Sequence, residues 1–130
     1  MTTGRCLCGG VRFRLNGAMR DAVLCHCGQC RRWHGHASAY TRVAISDLVF
    51  DDDDSLAWYR SSDIARRGFC RICGSSLFWE RIDSGTMSVT AGSLDAPTGL
   101  KTSLQIFCED AGDYYPLDAA IPTRPRSSGA

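Results

Sequence analysis

The sequence has no long apolar run, no excess of charge of either sign, and almost no lysine. Its hydrophobic stretches are only a few residues long, far short of the roughly 20 needed to span a bilayer. The opening MTTGRCLCGG has no apolar signal-peptide core. From these absences we expect a cytoplasmic protein without a membrane partner. A net charge of +1 over 130 residues creates no field that would make nucleic acid or an anionic surface the principal partner. Lys101 is the one lysine among the 15 basic residues, so a bias toward arginine accounts for most individual arginines. The clusters Arg31-Arg32 and Arg66-Arg67 with Arg71 still keep a small anionic ligand open, because the planar guanidinium suits a carboxylate.

Sustained 3.6-residue periodicity and repeats of solenoid length are also missing, which excludes a helical bundle or an array. The remaining pattern is short strands and many turns. In CGGVRFRLNG, Val11, Phe13 and Leu15 alternate with Arg12, Arg14 and Asn16 and run into an Asn-Gly turn, the signature of a half-buried strand. DAVLCHC and ASAYTRVAI read as further strands, with GQCRRWHG between them as a tight knuckle containing about one helical turn. Short strands are also expected in SDLVFDDDDSLAWYRS, at 77–79, in GTMSVTAGSLDAP and in SLQIFCED. The run Asp51 to Asp54 lacks the alternating ligands and glycine of a calcium loop and reads as a polar turn. With 44% hydrophobic and 22% charged residues the composition is that of an ordinary globular chain. We expect one mainly β domain over residues 1–120 and a loose tail over 121–130.

Eight cysteines stand out against this background. In a chain expected to stay in the cytosol they read as metal ligands rather than disulfides. Seven fall into groups: Cys6 and Cys8; Cys25, Cys27 and Cys30; Cys70 and Cys73. Zinc is the default ion for clustered thiolates; structural sites take four protein ligands, and catalytic sites commonly take three and keep a position open. Joining the two pairs closes one four-thiolate site and leaves the triplet with a fourth position for water, a histidine or a substrate. A zinc-ribbon-like site of Cys27, Cys30, Cys70 and Cys73 is the alternative, and it strands three thiols. Cys108 could close the triplet, but it stands alone in LQIFCED and reads more simply as a buried free cysteine. His26, His34 and His36 are further candidate ligands. His26, lying between two cysteines, should point away from them.

The ordered set GRCLCGGVRF, CHCGQCRRWHG, FCRICGSSLFW, AGSLDAP and IFCEDAGDYY resembles the glutathione-dependent formaldehyde-activating enzyme family, related to the centromere protein V domain. The resemblance runs over roughly residues 4–120 and rests on CxC, CxCxxC and CxxC in that order. It implies an Mss4-like fold of small coiled β-sheets assembled around zinc, with two ions per chain. Cys6, Cys8, Cys70 and Cys73 match the family's structural zinc ligands; Cys25, Cys27 and Cys30 match those of its catalytic zinc. The implied activity is that of a carbon-sulfur lyase forming S-hydroxymethylglutathione from glutathione and formaldehyde.

Three thiolates around zinc favour a soft fourth ligand, so a small thiol such as glutathione is the expected partner. Coordination would deprotonate that thiol near neutral pH, ready for attack on an aldehyde carbon. His26, His34 and His36 are the candidate proton carriers. Trp33, Tyr40, Phe69 and Trp79 are candidate pocket walls. With three ligands from one loop, the second zinc should be the more labile. The competing expectation is a non-catalytic zinc module with two closed sites that binds protein or nucleic acid.

Overall fold

The computed structural model describes residues 1–127. In chain order its strands are β1 (Thr2–Arg5), β2 (Arg12–Leu15), β3 (Ala22–Cys25), β4 (Ser38–Ala44), β5 (Leu48–Asp52), β6 (Leu56–Arg60), β7 (Ala65–Cys70), β8 (Ser76–Arg81), β9 (Thr86–Thr90) and β10 (Thr102–Ile106). A single α-helix, α1 (Gly28–His34), is accompanied by three short 3-10 turns among the described residues. The fold is therefore mainly β, and none of its described helices is long and apolar enough to cross a membrane. The chain forms two compact units: residues 1–20 with 41–99, and residues 21–40 with the described residues from Leu100 onward.

In the first unit β2 runs antiparallel between β1 and β5, with Gly4 opposite Phe13 and Phe13 opposite Phe50. The alternation read in VRFRL takes this form: Val11, Phe13 and Leu15 are buried, and Arg14 turns outward to an ion pair with Asp51. A second run, β9-β8-β7-β6, is antiparallel throughout. Leu77, Phe78 and Val89 are its fully buried aliphatic and aromatic residues, and the Phe78 ring packs edge-on against Phe13 at 5.1 Å between centroids. Strand β7 carries no apolar alternation in its sequence, ARRGFC. Its Arg67 is buried, and Gly68 lies between Trp58 on β6 and Phe78 on β8.

The second unit is built on β3, which runs antiparallel to β4 and parallel to β10. Cys25 stands directly opposite Ser38, and Val23 opposite Tyr40. The segment 28–34, expected as a knuckle with about one turn, is a helix of 7 residues. Cys27 caps its start by accepting from Cys30 N–H, and Gly35, in the left-handed region, ends it by donating to Arg31 O. Residues 122–126 run beside β10: Gln105 N–H donates to Pro122 O, Arg124 N–H to Gln105 O and Phe107 N–H to Arg126 O. These residues fall in the segment expected to be loose; its last three, 128–130, lie outside the described residues.

Candidate metal centres

Cys6, Cys8, Cys70 and Cys73 converge in the first unit with all four Sγ atoms within 4.8 Å of one another. Cys6 and Cys8 lie on the turn after β1, where Val11 N–H donates to Cys6 Sγ and Gly10 N–H to Cys8 Sγ. Cys70 ends β7, and Gly74, at φ 78°, lets the chain reverse so that its N–H reaches Cys70 O at 2.8 Å. Two serines that sequence reasoning did not single out complete this arrangement. Ser75 Oγ accepts from Leu7 N–H at 3.0 Å and lies 3.2 Å from Cys73 Sγ, linking the two cysteine turns. Ser55 Oγ lies 3.3 Å from Cys70 Sγ.

Hydrogen bonding and crowding divide these thiols. The Ser75 hydroxyl leads the contacts that hold Cys73 down to about 5. At Cys70 burial pushes upward, but the Ser55 hydroxyl and the amides of Cys73 and Ile72 outweigh it and leave the thiol below its ordinary value. At Cys8 the Gly10 amide favours the thiolate, yet contacts with Cys6, Cys70 and Cys73 push it up to about 11. Four thiols at this separation cannot all ionise without a cation among them. Zinc fits the spacing: a tetrahedron with zinc-sulfur bonds of about 2.3 Å has edges of about 3.8 Å. The Cys6–Cys8 and Cys8–Cys70 sulfur separations are 3.6 and 3.7 Å.

Cys25, Cys27 and Cys30 form a second group in the second unit, their sulfurs also within 4.8 Å. Cys25 comes from the end of β3, Cys27 is the cap of α1 and Cys30 lies in its first turn, where its N–H donates to Cys27 Sγ at 3.2 Å. Contacts with Cys27 and Cys30, then burial, push the Cys25 thiol far up. Cys25 favours the Cys27 thiolate, but Cys30 and burial outweigh it, and Cys27 is raised. Soft, mutually crowded sulfurs again suit a thiophilic cation such as zinc. Among the described residues this group has three members, and neither a histidine nor Cys108 joins it. Cys108 is half-buried rather than buried, because Phe107 at φ 53° ends the strand and Cys108 opens a 3-10 turn.

Each histidine has a tyrosine partner. His26 is buried and points away from the triplet, with Nδ1 2.7 Å from Tyr115 Oη and Nε2 2.9 Å from Gln105 Oε1. His34 Nε2 lies 2.8 Å from Tyr40 Oη, and the exposed His36 has Nδ1 2.8 Å from Tyr114 Oη. Gln105 and Tyr115, separated from His26 by 79 and 89 residues, had no local signal in the sequence. Tyr40 is buried in the second unit with the triplet, whereas Phe69 and Trp79 belong to the first. Arg66 is committed within the first unit, over the Trp58 ring at 3.8 Å and paired with Glu80 at 2.7 Å.

Comparison with known proteins agrees with this architecture. A Schizosaccharomyces pombe protein named only as an uncharacterized lyase is 28% identical over 76 residues, covering 58% of this chain. The chain spans about half the length of that curated relative, 55%. A crystal structure of a Rhodobacter sphaeroides protein superposes with a TM-score of 0.61 at 28% identity, covering 72% of this chain and 88% of that one. The model of one protein family matches residues 1–110, which include both cysteine clusters. By that match the chain belongs to the glutathione-dependent formaldehyde-activating enzyme family.

Proposed function

We propose that the protein is a zinc-dependent carbon-sulfur lyase-type enzyme acting on a small thiol adduct, with S-hydroxymethylglutathione formation from glutathione and formaldehyde as the leading reaction. Cys6, Cys8, Cys70 and Cys73 hold a structural zinc, and Cys25, Cys27 and Cys30 hold a catalytic one. The single observation that best supports this reading is the triplet itself: three convergent sulfurs from one strand end and one helix start, with no fourth ligand group beside them among the described residues.

A zinc ion held by three thiolates supplies a position where a substrate sulfur is kept as thiolate at neutral pH. The chain's own residues do the rest. Strand β3 and the first turn of α1 fix the three ligand sulfurs, and the cap at Cys27 ties the two elements together. His26, with both ring nitrogens engaged, holds the loop from its far side. The exposed His36, whose Nδ1 lies 2.8 Å from Tyr114 Oη, is our candidate for passing a proton to solvent.

The test is consumption of free formaldehyde by the zinc-loaded protein with a panel of small thiols, alongside visible spectra of the cobalt-substituted protein. We expect consumption that depends on thiol and a spectral change on adding glutathione. No consumption with any thiol, together with a silent cobalt spectrum, would instead favour a non-catalytic zinc module.

A further inference from the structure

Ser38 of β4 stands directly opposite Cys25 of β3. Directly opposed residues of an antiparallel pair project to the same face, with Cβ atoms about 4.5–5.5 Å apart. Cys25 turns its sulfur toward Cys27 and Cys30, so Ser38 shares the triplet's side of the sheet. Tyr40 lies on that face by alternation, and its hydroxyl meets His34 of α1 at 2.8 Å. The helix carrying Cys30 therefore covers the same face.

Ser38 is only 4% exposed, and its Oγ has no hydrogen-bond partner among the described residues. Among the described residues the other buried side-chain nitrogen or oxygen in this state is Nε of Arg31, the neighbour of Cys30. Buried hydroxyls are normally paired, because leaving one unpaired forfeits its solvation with nothing in return. Alanine would fill the same place without that penalty, so packing alone does not account for a serine. Nearby polar side chains do not use it: His26 is engaged by Tyr115 and Gln105, His34 by Tyr40, and His36 by Tyr114.

We propose that the Ser38 hydroxyl donates a hydrogen bond to the sulfur of the thiol that takes the fourth position at the Cys25, Cys27 and Cys30 site, making Ser38 an affinity-determining residue for the thiol substrate. This rests on the reading of the triplet as a thiol-accepting zinc site. A thiolate offers only acceptor capacity, and hydrogen bonds to a charged acceptor are about twice as strong as neutral ones. The donor is neutral and already desolvated, so binding the thiol completes it rather than stripping it of water.

Cobalt-substituted wild-type protein, Ser38→Ala and Ser38→Thr are titrated with glutathione by visible spectroscopy, and their melting temperatures are measured without thiol. Ser38→Ala is expected to bind glutathione about tenfold or more weakly, while melting at or above the wild-type temperature because an unpaired hydroxyl is gone. Ser38→Thr keeps the hydroxyl and is expected to restore most of the affinity. The proposal is overturned if Ser38→Ala binds glutathione as wild type does. It is also overturned if that variant melts lower, which would assign the hydroxyl to the fold, or surrenders cobalt to a chelator more readily, which would assign it to Cys25. A wild-type spectrum that does not respond to glutathione removes the thiol-accepting reading and the role of Ser38 with it. A responsive wild type with an equally responsive Ser38→Ala removes only the latter.

Discussion

His26 lies between Cys25 and Cys27 in the chain, yet its Nε2 meets Gln105 Oε1 at 2.9 Å. Period-2 alternation causes the separation: the extended backbone that turns Cys25 one way turns its neighbour the other. Gln105 Nε2 donates to the carbonyls of Asp118 and Ile121, which leaves Oε1 as the acceptor. His26 therefore donates through Nε2 to Gln105, and its Nδ1 is engaged by the Tyr115 hydroxyl, so neither ring nitrogen is free. Both contacts tie the loop that carries Cys25 and Cys27 to residues distant in the chain.

His26→Ala would strand both Gln105 Oε1 and the Tyr115 hydroxyl. An unpaired buried polar group costs about 1–3 kcal/mol, so we expect a clear drop in melting temperature. Metal should also leave the triplet faster in a chelator competition, with no change at the four-cysteine site. Unchanged melting and unchanged metal loss together would show that the network does not hold the loop.

Cys27→Ser and Cys73→Ser should separate the two centres. A structural zinc contributes about 10–16 kcal/mol at pH 7, as much as the entire stability of a typical domain, about 5–15 kcal/mol. Cys73→Ser is therefore expected to unfold the chain. Cys27→Ser should lose one equivalent of zinc and the aldehyde consumption while keeping a cooperative melt. Identical melting of the two variants would mean that the assigned roles are wrong.

Acid should release the metals in two steps. Protons compete with the ion for each thiolate, so a thiol with a higher pKa is lost to the proton at higher pH. Cys25 and Cys27 are both raised, whereas the four-cysteine site sets Cys70, which is lowered, and Cys73, at about 5, against Cys8 at about 11. The triplet should empty first as pH falls, and the four-cysteine site later. For Cys73 the depressed value means that its ionisation stabilises the fold fully above its ordinary 9.0, and that this contribution disappears as pH falls through about 5. Zinc release followed with a chromophoric chelator checks the order; a single step in the wild type, or loss of the remaining zinc of Cys27→Ser at the higher of the two pH values, would contradict it.

Gly68, on the strand that ends at Cys70, tests the aromatic packing of the first unit. A Cβ at this position would lie 2.9 Å from the Trp58 ring and 3.0 Å from that of Phe78. Gly68→Ala is expected to destabilise by about 1–3 kcal/mol through overpacking. Gly28, at the start of α1, provides the comparison, because a Cβ added there would meet nothing within 4 Å. Gly28→Ala should be neutral or slightly stabilising by thermal melting, and equal losses at both positions would refute the steric argument.

Strands with regular apolar alternation were legible from sequence, β2 most plainly. Strand β7 was not, because ARRGFC buries an arginine and puts a glycine where two aromatic rings from neighbouring strands supply the missing bulk. The helical segment was legible only as a knuckle. Its second turn depends on the cap at Cys27 and the left-handed Gly35, which are backbone outcomes rather than periodic ones.

The sequence by itself determined the mainly β class and brought out the cysteine groups, because pleat alternation and thiol spacing act over a few residues. It also contained the ordered motifs by which the family is recognised. Tertiary structure decided which polar side chains stand beside those cysteines and their loop: Ser55 beside Cys70, Ser75 between the two cysteine turns, Gln105 and Tyr115 on His26, and Ser38 opposite Cys25. Ser75 and Leu7 are 68 residues apart, and Tyr115 and His26 are 89. A hydrogen bond needs its partners within about 3 Å, and only strand pairing and chain reversal bring residues so distant in sequence to that separation.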